Sequence, residues 1–406
     1  MSKLTYRTAG ESHGPSLVVY VDGMPARVPV DVALIDHELL RRQGGYGRGG
    51  RMKIETDAVN FLAGVRLGAD NVRKTIGSPI VMTIVNKDNR LDDPSKTPAL
   101  NRPRPGHADL AGSVKWLTTD CRETLERASA RETASRVAAG ALSRSILKLF
   151  GIEVFGFVRE VGPARASIPL VDSIDAKRSV SDFVSIVGEL RDLRDKDDVY
   201  CPDHQAGAAM REFINQMKLD KDTAGGIVEC HVFGCPIGLG SSMNGHDRLD
   251  GKIASAVMSI QAFKGVEIGM GFESSRRRGS HVHDEIFFDA SLKQTPSLGF
   301  VRGTNNAGGL EGGMTNGMPI VVRGAMKPIS TLGKPLRSVD LNTKEATQAG
   351  WERSDISAIS AASVVMENAI AFEVASALLT KFGGDSITEL QSNYEQFLST
   401  ARRLPL

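Results

Sequence analysis

Seven short segments of this chain gather residue types that handle protons and anions. Gly10-Glu11-Ser12-His13-Gly14 sets an imidazole and a hydroxyl between glycines, where a ring can come close to a ligand and donate a proton near neutral pH. A turn histidine bonded to a backbone carbonyl accounts for the same residues equally well. Arg41, Arg42, Arg48 and Arg51 surround Gly44, Gly45, Gly47, Gly49 and Gly50, and mutual repulsion among such cations favours an anion between them. A solvated basic loop explains the charge but not the interleaved glycines, so we read a phosphate or carboxylate site there. Arg102 to Asp109 puts Arg104 and His107 on a rigid Pro/Gly frame, which lowers the entropy lost on gripping a ligand.

Arg127, Ser129 and Arg131 follow, and their spacing predicts that both guanidiniums share one face of a helix. Taken alone, surface ion pairs with Glu123 and Glu132 are the better reading. Asn305 to Gly317 is glycine-rich but lacks both the Lys-Ser/Thr ending of a phosphate loop and the setting of a dinucleotide fingerprint. Lys327-Pro328-Ile329-Ser330-Thr331 adds a cation and two hydroxyls, and Arg353-Ser354-Asp355 precedes the last long helix, where Ser354 or Asp355 would serve as a plain cap.

Other clusters carry less. Cys230 and Cys235 have no second pair, and Cys201 with His204 lacks the ligand density of a metal site. Arg276, Arg277 and Arg278 with His281 and His283 form a basic patch without the interleaved aromatics of a single-strand binder, and we read it as a mobile loop.

The elements that must position these groups are legible in outline. Leu17 to Val21, Ile80 to Val85, Ile152 to Val158, Ile227 to Phe233 and Ile320 to Val322 are short, β-branched and bounded by breakers, so they predict strands. Helices are predicted from Asp31 through Arg42, from Asp120 through Phe150, and over 181–196, 206–218, 246–263 and 361–382. Gly77-Ser78-Pro79-Ile80 and Gly317-Met318-Pro319-Ile320 echo each other at two strand entries, which suits two similar sheet halves or chance turn chemistry. No linker divides the chain, so residues 1–406 are expected to form a single domain of α+β class with antiparallel sheets.

Composition narrows the function. With 50 Lys+Arg against 48 Asp+Glu the net charge is only +2, which argues against a nucleic-acid partner. Of those basic residues 32 are Arg, the side chain suited to bidentate grip of a small anion. No run approaches the roughly 18 apolar residues of a membrane span, and four scattered cysteines suit reduced thiols in a cytoplasm.

Taken in order, Gly10 to Gly14, Gly45-Tyr46-Gly47-Arg48-Gly49, Arg102 to Asp109, Arg127-Ala128-Ser129-Ala130-Arg131-Glu132-Thr133, Gly308 to Gly317, Lys327 to Thr331 and Arg353-Ser354-Asp355 closely resemble the motifs of chorismate synthases. The resemblance covers essentially the whole chain. It implies a compact β-α-β sandwich, a helical layer between two antiparallel sheets, assembled as a homotetramer. It also implies conversion of 5-enolpyruvylshikimate 3-phosphate to chorismate and phosphate by 1,4-anti elimination, with reduced FMN (FMNH2) and no net redox change. A substrate with two carboxylates and a phosphate gives the arginine excess a purpose.

By this resemblance His13 serves the leaving phosphate, His107 lies against the flavin N1 side, and Asp355 accepts the N5 proton. Arg42, Arg48, Arg51, Arg104 and Arg131 hold substrate anions. Arg127, Ala128, Ser129, Gln261, Ala262, Gly312, Lys327, Pro328, Ile329, Ser330, Thr331 and Arg353 line the cofactor site. Two departures stand out: Ser360 replaces a usual proline, and Ala128 a usual serine. NADPH as the flavin's reductant is left open, since some relatives use it and others an external donor. The competing reading is an NAD(P)H-dependent flavin reductase without lyase activity, which gives no reason for paired His13 and His107 amid arginines.

Overall fold

The computed structural model describes residues 3–49, 55–169, 180–350, 352 and 354–405. A first sheet is built from β1 (Thr5–Ala9), β2 (Ser16–Asp22), β3 (Asn60–Ala63) and β4 (Ile80–Val85), in antiparallel order β1-β2-β4-β3. Leu17 lies opposite Ile84, Val19 opposite Met82 and Val21 opposite Ile80, and all six side chains are fully buried. Alternation at period two therefore gives this sheet one apolar face.

The second sheet holds β5 (Glu153–Val161), β6 (Ala164–Arg165), β7 (Gly226–Phe233), β8 (Phe263–Ile268) and β9 (Ile320–Met326), ordered β8-β9-β7-β5-β6 and antiparallel throughout. Its central strands are buried on both faces, from Val154 to Val158 and from Val228 to Phe233; the first is a continuous apolar run, while the second also buries the paired Glu229 and His231. The prolines of the two echoed motifs lead into β4 and β9, and Gly77 and Gly317 both take positive φ, 83° and 90°.

The helices are α1 (Val32–Gln43), α2 (Asp109–Trp116), α3 (Arg122–Ala128), α4 (Thr133–Leu147), α5 (Val180–Asp195), α6 (His204–Asp220), α7 (Leu249–Met258), α8 (Ile359–Phe382) and α9 (Ile387–Ala401). Helix α4 packs on β2 and α8 on β5 and β7, and the two helices pack on each other. The expected helical layer between two antiparallel sheets is thus the observed architecture. At the crossing, a Cβ on Gly140 would stand 2.1 Å from the carbonyl oxygen of Asn368, so the helix backbones meet directly. Helix α8 is long and apolar enough to cross a membrane, but 94% of that stretch is buried inside this fold.

Helix α1 runs as predicted, with Asp31 accepting from Leu34 N at 3.0 Å and Gly44 as its C-cap. The helix predicted from Asp120 to Phe150 is instead broken at Ser129, whose ψ of 142° is extended. Its hydroxyl accepts from Arg131 N, so serine's preference for capping outweighs the helical period on either side. The segment predicted as helix 246–263 is helical only over α7. Ala262 takes φ 69° and Phe263 opens β8.

Candidate active site

The turn between β1 and β2 presents Ser12 and His13, both buried. Glu126 on α3 grips this turn: its carboxylate accepts from His13 N at 2.9 Å and contacts ring Nδ1 at 2.9 and 3.0 Å, and its carbonyl accepts from Ser12 N at 3.0 Å. Burial would raise the Glu126 carboxyl, but the His13 contacts outweigh it and hold the group below its ordinary value. The other ring nitrogen, Nε2, faces Arg90 Nη2 at 3.3 Å and Asp88 at 3.6 Å, on the segment that follows β4.

Asn86, at the end of β4, joins this turn to the arginines. Its amide donates to the carbonyls of Gly14 and Glu11 at 2.8 and 3.1 Å, and its Oδ1 accepts from Arg131 Nε at 2.9 Å. Arg131 Nη1 also bonds both oxygens of Asp57 at 2.7 Å, and Arg42 reaches the same carboxylate at 2.7 Å. All three side chains are buried. Burial and the neighbouring Arg131 charge push Arg42 down to about 10 against the pull of Asp57. Arg42 Nε and Arg131 Nη2 have no hydrogen-bond partner among the described residues, and Arg131 Nη2 lies 3.8 Å from the buried Glu55 carboxylate.

The glycine loop after α1 closes on the start of α8. Ile356 N donates to Gly47 O at 2.8 Å, Gly49 N to Asp355 Oδ1 at 2.6 Å and Arg48 to Asp355 Oδ2 at 2.6 Å. Gly45 has φ 106°, and a Cβ there would lie 2.4 Å from that of Ser360. Ser360 donates to the carbonyls of Val199 and Asp198 at 3.1 and 3.3 Å and so ties the helix entry by polar contact.

A second histidine centre lies on the loop before α2. Arg104 donates to Asp109 through Nε at 2.8 Å and Nη2 at 3.0 Å, and to Thr331 through Nη1 at 3.1 Å. His107 Nδ1 contacts the same Asp109, which is fully buried. Burial would raise this carboxyl, yet the His107 and Arg104 contacts hold it well below its usual range. A Cβ on Gly106 would stand 3.6 Å from Ser330 and 3.9 Å from Lys327 Nζ, so this loop lies against 327–331. Lys327 N in turn bonds Ala262 O at 2.9 Å, Gln261 donates to Glu132 at 3.0 Å, and Glu132 accepts from Thr8 at 2.6 Å. Arg127 bonds Thr8 and Gly10, and Ser129 contacts Ser12 at 3.1 Å, which returns the path to His13.

These residues suit the phosphate of a small ligand. Burial and the nearby Lys264 lower the half-buried Lys327 ammonium, and no carboxylate pairs with it among the described residues. Gln261 Oε1 is buried without a partner.

The structure therefore brings together His13, Arg42, Arg131 and Ser129 in one network, Arg48 with Asp355 in a second, and Arg104, His107, Lys327 and Thr331 in a third. Ser354 Oγ, donating to Thr331 O at 3.2 Å, links the last two. The shared helix face expected of Arg127 and Arg131 is overturned by the break at Ser129, which sends one to the surface at Thr8 and the other into the core. Gly312 sits in a hairpin turn beside Ser242 and Met314, and no other expected cofactor residue comes within 4 Å of where its Cβ would be. Arg51 and Arg353 lie outside the described residues. The sequence reading missed the acids, Asp57, Glu55, Asp88 and Glu126. The signal was charge balance, since buried guanidiniums need carboxylates.

Comparison with known proteins shows the family and the fold. A family model described as chorismate synthase matches residues 4–379. The chorismate synthase of Geobacter metallireducens is 49% identical over 412 residues, covering 98% of this chain and 99% of its own. That of Desulforudis audaxviator is 49% identical over 408 residues, with 98% of each chain covered. A crystal structure of chorismate synthase superposes with a TM-score of 0.77 at 37% identity, over 99% of both chains.

Proposed function

The chain belongs to the chorismate synthase family, and from that premise we propose that it converts 5-enolpyruvylshikimate 3-phosphate to chorismate and phosphate by 1,4-anti elimination in the cytoplasm. The observation that carries this reading is the single network in which Asn86 joins the His13 turn to Arg131, Asp57 and Arg42. A proton donor and anion grips held in register are what departure of a phosphate from a polyanionic ring requires.

Arg42 and Arg131 would orient the substrate, and Arg48 and Arg104 would add further grips. His13 would deliver a proton to the phosphate oxygen as the carbon–oxygen bond breaks. Reduced FMN, when bound, supplies electron density that is returned when the ring hydrogen leaves. Lys327 to Thr331, Gln261, Ala262, Arg127, Ala128 and Ser129 would hold it. His107, anchored by Asp109 and Arg104, would contact it, and Asp355 would serve as the base that accepts the proton released in the elimination.

Residues 1–406 are read as one domain, since one apolar cluster runs from Leu4 to Leu398. The assembly is read as a homotetramer, and exposed Ile286, Phe287, Phe288 and Phe300 offer apolar surface for association to cover. The test is anaerobic turnover with photoreduced FMN, following both products. Equal release of chorismate and phosphate, abolished with oxidised FMN, is expected. Flavin binding without phosphate release would sink the lyase reading.

A further inference from the structure

We propose that Glu126 is the positioning residue of His13: its carboxylate keeps the proton on ring Nδ1 and thereby aims Nε2 at the substrate. This rests on the reading of His13 as the donor to the leaving phosphate. The two sides of the ring differ. On the Nδ1 side, Glu126 is only 2% exposed and contacts the ring at 2.9 Å and the His13 backbone N–H at 2.9 Å. A carboxylate can only accept, so the hydrogen shared with the ring belongs to Nδ1.

Glu126 is itself held back from any ligand. Arg122, one helical turn earlier, places Nη1 3.8 Å from it and is anchored to Glu352 at 2.8 Å and to Pro98 O at 3.1 Å. On the Nε2 side, Arg90 Nη2 stands 3.3 Å away, and Asp88, also on that side, at 3.6 Å. Arg90 can only donate, so Nε2 is the accepting nitrogen at rest. The side chains of Asp88 and Arg90 are 22% and 37% exposed, against 1% for Glu126, so the ring is sealed at Nδ1 and open at Nε2.

The proton step then balances within the dyad. Once Nε2 has taken up a proton from solvent in place of the Arg90 contact, His13 passes that hydrogen to the phosphate oxygen, which takes the electron pair of the breaking carbon–oxygen bond. The ring returns to the neutral Nδ1–H form with its contact to Glu126 unbroken, and no electron enters or leaves the pair. Glu126 never touches the substrate and acts only through the imidazole.

Nitrogen NMR of the full chain labelled with 15N-histidine, assigned with His13→Asn, reads the tautomer directly. In the wild-type protein Nδ1 should carry the hydrogen at neutral pH when the ring is uncharged. Glu126→Gln should mix the tautomers and lower kcat about 10- to 100-fold with KM changed less than about twofold, and Glu126→Asp should recover part of the loss. A wild-type ring protonated on Nε2 overturns the proposal without any variant. So does Glu126→Gln with unchanged tautomer and kcat. Full phosphate release by His13→Ala would instead overturn the role of His13, while leaving the tautomer result standing.

Discussion

Arg48 and Asp355, 307 residues apart in the chain, meet at 2.6 Å, while the N–H of Gly49 donates to the other carboxylate oxygen at 2.6 Å. A Cβ on Gly49 would stand 3.0 Å from that oxygen, so the glycine lets the loop close on the carboxylate. Both oxygens are thus engaged from one side. An anion that draws Arg48 away would release one of them to accept a proton. Asp355→Asn keeps the shape and loses the base, so turnover should fall about 100-fold or more. The melting temperature should fall as well, because the Arg48 side chain is only 9% exposed and would lose this counterion. Steady-state kinetics beside thermal melts decide it, and unchanged turnover would remove Asp355 from the chemistry.

Asp57 stands between two buried guanidiniums. Asp57→Asn removes the carboxylate that pairs with Arg42 and leaves Arg131 with only Glu55, 3.8 Å away, which should destabilise the fold by about 3–5 kcal/mol. Urea unfolding monitored by circular dichroism measures this. A loss below about 1 kcal/mol would mean that the arginines reach water.

The lowered Asp109 carboxyl makes stability depend on acid. A group depressed in the folded state contributes fully above its unfolded pKa, near about 4, and that contribution is lost as pH falls through the folded value. Glu126 is lowered too and acts in the same direction. Melting temperature should therefore drop between about pH 4 and 2. Asp109→Asn should be less stable at pH 7 and should show a shallower acid limb. An identical limb in both proteins would place the acid sensitivity elsewhere.

Lys327 has no carboxylate partner among the described residues and lies beside Gly106. If it holds the flavin phosphate, Lys327→Ala should weaken FMN about 10- to 100-fold, the worth of a hydrogen bond to a charged group. Riboflavin, which lacks the phosphate, should bind both proteins alike. Fluorescence titration separates these outcomes.

The class of fold and the strands were legible because apolar runs and breakers are local signals. Ile80–Val85 has the bounds its composition implied, and α1 starts and stops at its cap residues. The break at Ser129 was not legible, since a periodic pattern continues through it and only the packing of Arg127 and Arg131 on opposite sides reveals it. The site was half legible. Histidines and arginines announce themselves by type and by the glycines around them. Asp57 and Glu126 do not, because a carboxylate in an ordinary stretch becomes a counterion only when distant segments close on it. Ser360 illustrates the same limit: the missing proline was visible, but the carbonyls of Asp198 and Val199 that receive its hydroxyl were not.

The backbone contact of Gly140 with Asn368 bears on how the protein is made. Helix α4 leaves the ribosome more than two hundred residues before its partner in the middle layer, and until α8 arrives the second sheet lacks the helix that packs on β5 and β7. Non-local closure of this kind is slow and leaves intermediates prone to aggregation. A nascent chain stopped short of α8 would hold α4 and the second sheet in sequence without joining them. Synthesis of α8 is then the event that commits the chain to its fold, and chaperone dependence should end with its emergence.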